Sequence, residues 1–289
     1  MADPSANRRG VFLMLGAMAC YVLNDACLKF TLAHHPHGQV LAVRGLFATA
    51  MVLVLARRAG MLPRWRQLLQ PMVAVRSVLE VATAMASVAA LSLTPLSIVT
   101  AIMMVSPLLI AVCAMALGWE APQAGRIFAT VTGLAGVLLI ARPFSQASVA
   151  NWGIVFSLAC AAGLAARDLA TRAMPPGVPS VLITLAATVA SCAGGFALGL
   201  RETWQPLQPA QTLGLALAAL CAALGNYALI AACRDVDLSV VAPFRYSILL
   251  WALLMGYLGW DETPDAASGI GIVLISAGGL LALRGSRSR

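Results

Sequence analysis

Charge is scarce in this 289-residue chain: Asp, Glu, Lys and Arg make up 10% of it, against 61% hydrophobic residues. A soluble domain carries about a quarter charged residues, so a water-facing globule is excluded and a polytopic membrane protein is expected. Histidine is nearly missing as well. All three lie in one stretch, His34-His35-Pro36-His37, a turn-rich cluster without acidic partners that reads as a solvated loop instead of a metal site. The chain has no His-Glu-x-x-His, Gly-x-Ser-x-Gly or paired-aspartate protease motif, which argues against an intramembrane enzyme. No cofactor is expected. The seven cysteines form no Cys-x-x-Cys pair and sit inside apolar runs, as small packing residues do.

The net charge of +8 does not point to nucleic acid, because the arginines are scattered over loops and form no patch. A bias toward one membrane face explains them better. With the N-terminus in the cytoplasm, twelve of the 19 Lys and Arg fall on the inner side and three on the outer side. The remaining four, Arg44, Arg76, Arg167 and Arg245, lie within spans. Both termini are therefore expected inside a bacterial inner membrane. Arg8-Arg9 and the following Ala17-Met18-Ala19-Cys20 faintly imitate a cleaved leader, but the apolar run continues past Cys20. An uncleaved first helix is expected.

Spans need roughly 20 mainly apolar residues. Ten fit: 10–32, 38–56, 71–91, 96–117, 124–141, 151–173, 179–200, 211–232, 239–258 and 267–283. The longest connection, Arg57 to Gln70, is basic. Stretch 238–261 repeats stretch 96–120. Leu96-Ser97 and Val99 match Leu238-Ser239 and Val241, shifted by 142 residues. Ser106, Leu108-Leu109, Ala111 and Leu117-Gly118-Trp119 match Ser247, Leu249-Leu250, Ala252 and Leu258-Gly259-Trp260, shifted by 141. One unit is written twice, with boundaries near 1–145 and 146–289. Five spans is an odd number, so the second copy is inverted, as in many transporters. The expected fold is all-α, ten transmembrane helices as two inverted five-helix repeats. Pro107 and Pro243 interrupt the corresponding spans four and nine, and Gly195-x-x-x-Gly199 and Ala129-x-x-x-Gly133 suit close helix contact.

Charges inside a bilayer need a reason, since each costs at least ~2.5–3.5 kcal/mol on insertion scales. Counting 1.5 Å per residue, Asp25 and Arg44 lie about 10 Å below the outer surface, where they can pair. Tyr21, Asp25 and Lys29 share a helix face. Arg76, Glu80, Arg167, Asp168, Arg245, Asn226 and Tyr227 form a second layer near the inner side. The two layers read as outer and inner gates with the solute between them; the competing reading is static ion pairs fixing helix register. Arg76 and Arg167 suit the anchoring role, and Tyr21, Asp25, Arg44, Glu80, Asn226, Tyr227 and Arg245 the gating or binding role. Trp251, mid-span like Met103 and Met104, is a candidate for lining a cavity. The other tryptophans fall near span ends, and Glu120, Asp261 and Glu262 read as exposed loop acids.

The ten spans, the duplicated unit and its endings resemble the EamA family of drug/metabolite transporters. In that family each repeat closes with a Gly-x-acid turn and a Gly-rich last helix. Here these are Ala116-Leu-Gly-Trp-Glu120 with Thr132 to Ile140, and Tyr257-Leu-Gly-Trp-Asp261 with Gly269 to Ile275. The resemblance implies a central cavity between helices of both halves, with spans five and ten peripheral. Small multidrug relatives rely on a first-span Glu, where this chain has Asp25. The expected function is export of amino acids or similar small metabolites by alternating access, in a lipid bilayer and as a monomer, without nucleic acid. Alternatives are a flippase for a lipid-linked substrate and a drug, nucleobase or vitamin carrier of the same superfamily.

Overall fold

A computed structural model describes residues 4–118, 128, 131–132, 135–136, 139, 152–174, 178–232, 244 and 246–285. Helices are α1 Pro4–Leu32, α2 His37–Arg58, α3 Pro71–Leu93, α4 Leu96–Met103, α5 Ser106–Ala116, α6 Trp152–Arg172, α7 Ser180–Gly199, α8 Pro209–Ala232, α9 Ser247–Trp260 and α10 Ala266–Gly285. No strand occurs among the described residues. In hydrocarbon each N–H and C=O must be satisfied within the segment, which leaves the helix as the solution for runs this apolar. Six helices are long and apolar enough to cross a bilayer: α1, α2, α3, α6, α7 and α8. Large apolar side chains such as Phe12, Val78, Leu213 and Val273 stand exposed around the bundle, as lipid contact requires.

The expected span four is broken into α4 and α5. Pro107 is the reason. It sits in the first turn of α5 and lacks the N–H that would reach the carbonyl one turn back. The chain tightens just before it, Val105 N–H bonding Ile102 C=O at 3.0 Å. Expected span five lies mostly outside the described residues, as do Pro243 and the first part of span nine. The basic connection after α2 contains a 3-10 helix, Leu62–Leu69, which starts on Pro63.

Prolines also precede or open α2, α3, α4, α7 and α8. None of the caps recorded for α2, α3, α4 and α7 has a side-chain cap bond from its own N-cap residue. In α2 and α4 an orphan N–H is met from a distant loop, as described below.

The dominant contacts join the first part of the chain to the second. α2 packs on α7, α1 on α8, and α3 on α6; lesser contacts join α3 to α7, α2 to α8, α1 to α9 and α4 to α6. The α2–α7 seam is antiparallel and nearly backbone on backbone. Gly38 meets Gly199, Ala42 meets Gly195, and Gly45 meets Cys192. A Cβ at Gly195 would collide with the Ala42 backbone, so the Gly195-x-x-x-Gly199 spacing serves close packing as read. The apolar core gathers Met18, Val22, Leu41, Leu91, Leu96, Ile102 and Ile275, each almost fully buried.

Candidate functional site

α1 brings Tyr21, Asn24 and Asp25 to one level of the bundle, and α2 brings Arg44. These do not pair as expected. Asn24, buried beside Asp25, inserts its amide: Nδ2 donates to Asp25 Oδ1 at 2.8 Å, and its Oδ1 accepts from Arg44 Nε at 3.1 Å. No direct Asp25–Arg44 ion pair forms among the described residues. The expected direct pairing is thus corrected to a relay through an amide that sequence reading passed over. A polar neighbour one residue before a membrane-embedded acid was the available signal.

A polar contact joins the first half of the chain to the second: Tyr21 donates its hydroxyl to Asn226 Oδ1 of α8 at 2.7 Å. The polar groups form a belt of separate hydrogen-bonded clusters: Asn24 with Asp25 and Arg44, Tyr21 with Asn226, and Glu80 with Arg76, Arg167 and Asp168. The last joins α3 to α6. Glu80 lies 3.3 Å from Arg76 Nη1 and 3.5 Å from Arg167 Nη1, and Arg167 Nη2 lies 3.1 Å from Asp168. Arg76 Nε donates to Thr171 Oγ1 at 3.0 Å. Arg76 and Arg167 each bridge α3 and α6.

Arg245 lies outside the described residues. Tyr227, next to Asn226, follows it by about 100° around the helix and is 72% exposed, so it does not join the belt. Trp251 is half-buried against the apolar core. The histidine stretch is not simply solvated: His35 is buried, and His37 Nε2 lies 2.9 Å from Ser92 Oγ. No group of metal-binding side chains occurs among the described residues.

At one end of the bundle the loops are knotted. Lys29 Nζ contacts Glu262 Oε1 at 2.5 Å and donates to Thr94 C=O at 2.9 Å. Glu262 Oε2 accepts the Leu96 N–H at 2.8 Å, which supplies α4 with the anionic cap that Pro95 cannot give. Lys29 also sits 5.5 Å over the Trp260 ring. Glu262, expected as an exposed loop acid, is only 12% exposed. The cause is Asp261, which ends α9 in the left-handed region (φ 53°) and turns the chain back over Gly256, where the missing Cβ leaves room for the Glu262 carboxylate. A second cap at the same end follows the same logic. Glu202 accepts the Gly38 N–H of α2 at 2.9 Å, and Gln39 Oε1 accepts the Gln205 N–H at 3.0 Å.

The sequence profile described as the EamA-like transporter family matches residues 8–142 and 151–284. The chain is 27% identical over 277 residues to a pseudopaline exporter from two strains of Pseudomonas aeruginosa, covering 93% of each chain. It is 37% identical over 70 residues to a transporter from Helicobacter pylori, covering 24% of this chain and 23% of the relative. A crystal structure shares the fold with TM-score 0.67 and 17% identity, covering 96% of this chain and 99% of the other.

Proposed function

The chain belongs to the EamA-like transporter family, and on that premise we propose that it exports amino acids or similar small metabolites across a bacterial inner membrane. It is a multi-pass membrane transporter and not an enzyme. One observation carries the substrate reading: α1, α2, α3, α6 and α8 bring acids, guanidiniums and amides into clusters along an otherwise apolar bundle. Such a lining suits a solute with charges of both signs better than a lipophilic cation. Similarity along nearly the whole chain to an exporter of pseudopaline supports the outward direction.

The contact pattern supports two inverted units, 1–145 and 146–289. Exchanging the halves turns the α1–α8 pair into α6–α3, α1–α9 into α6–α4, and α2–α8 into α7–α3, while α2–α7 returns to itself. Each of these is a packed pair. In this reading the halves are related by a two-fold axis in the membrane plane, both termini are cytoplasmic, and one chain suffices. Rocking of the units opens the belt to alternate sides, with Tyr21, Asp25, Arg44, Glu80 and Asn226 along the pathway.

Counterflow of a labelled amino-acid panel into proteoliposomes tests the function. Saturable uptake of a subset is expected. Exclusion of every amino acid by folded, inserted protein would sink the substrate reading. Unimpaired exchange by Asp25→Ala, Arg44→Ala and the double variant would sink the site.

A further inference from the structure

The position of Asn24 says what the belt is shaped to bind. A carboxylate and a guanidinium left to themselves in a low-dielectric interior gain most by closing into a direct, bidentate pair. Here the amide of Asn24 keeps them apart. Its O-to-N width is about 2.2 Å from standard bond lengths. With bonds of 2.8 and 3.1 Å on either side, Asp25 Oδ1 and Arg44 Nε are no more than about 8 Å apart. Among the described residues, Asp25 Oδ2 and both Nη atoms of Arg44 have no hydrogen-bond partner. They are also not among the side-chain atoms sealed from water. A negative and a positive group, each with unused bonding capacity, therefore flank one amide.

We propose that this is a split ion pair built for a zwitterion. Arg44 takes a carboxylate through its two Nη atoms, Asp25 takes an ammonium through Oδ2, and Asn24 is the positioning residue that keeps the two from neutralising each other. The ligand class is a small solute with an ammonium and a carboxylate on the same or adjacent carbon atoms. Such a head group, with a hydrogen bond at each end, spans a gap of this order. It also leaves neither protein charge unpaired. A monocarboxylate would leave Asp25 desolvated and unpaired, and a simple amine would do the same to Arg44, so each half alone is rejected. The inference rests on the transporter reading above and narrows its substrate.

The test uses the full-length protein purified in detergent, with the fluorescence of its six tryptophans reporting thermal unfolding. Three additions are compared: an equimolar pool of the common L-amino acids without the fluorescent Trp and Tyr, the same pool N-acetylated, and the same pool C-amidated. The free pool is expected to raise the Tm, and the two blocked pools to leave it unchanged. Asn24→Asp, whose carboxylate pairs directly with Arg44, is expected to lose the response while its unliganded Tm stays measurable. Asn24→Gln, which keeps both amide functions on a longer stem, retains part of it. Equal protection by free and N-acetylated pools, an undiminished response in Asn24→Asp, or no response to any pool overturns the proposal. Counterflow in the same preparation separates the two readings. Exchange of amino acids together with indifference to blocking keeps the exporter and removes the split pair.

Discussion

The two charged knots of this bundle use the same residue types in different ways. At the loop end, Lys29 and Glu262 each hold a main-chain group as well as each other, so neither charge can leave without uncapping α4 or freeing the Thr94 carbonyl. Between α3 and α6, the bonds run side chain to side chain. Glu80 is shared by two guanidiniums at 3.3 and 3.5 Å, and Asp168 is 39% exposed. A charge fixed to backbone holds the chain as well as its partner; a charge shared among side chains holds only the helices it bridges. The loop-end knot is therefore expected to carry more stability than the α3–α6 network.

The largest effect is expected from Glu262→Gln, which strands Lys29 at 13% exposure. Loss of one partner of a buried pair costs about 3–5 kcal/mol, measured as detergent unfolding of the purified protein. Adding Lys29→Met should recover much of it. A loss under about 1 kcal/mol for the single variant would erase the contrast between the two ends. Next comes Gly195→Ala on the seam between them, whose Cβ meets Ala42 backbone; overpacking there is expected to cost about 1–3 kcal/mol. Glu80→Gln should cost less, about 1–2 kcal/mol, because Arg167 keeps Asp168. If it matches Glu262→Gln, the α3–α6 network is as rigid as the loop knot. Smallest is Glu202→Gln, which keeps an acceptor for Gly38 N–H and removes only its charge, about 0.5–1 kcal/mol.

Much of this was legible in the chain because charge is conspicuous in apolar sequence. Asp25, Arg44, Glu80, Arg167 and Asp168 all stand in spans and all enter the belt. Asn24 was passed over because an amide carries no charge of its own to explain; its place beside Asp25 was the only signal. The Tyr21–Asn226 contact was not legible either, because it depends on α1 packing against α8, about 200 residues later in the chain. Glu262 was misplaced for a different reason. Its burial depends on the left-handed turn at Asp261 and on the α4 N-terminus, about 165 residues earlier in the chain. Proline, by contrast, is local in its effect, and the break of span four beside Pro107 followed from the residue alone.

The α2–α7 seam has a mechanical consequence. Two rods touching backbone to backbone at Gly38/Gly199, Ala42/Gly195 and Gly45/Cys192 have no compressible layer of side chains between them. They cannot slide by one residue without driving Cβ atoms into main chain, and they cannot part without opening a void that nothing nearby is long enough to fill. What remains is rolling about their common line. In the alternating-access reading proposed above, this seam is the fulcrum and its small residues are the bearing surface.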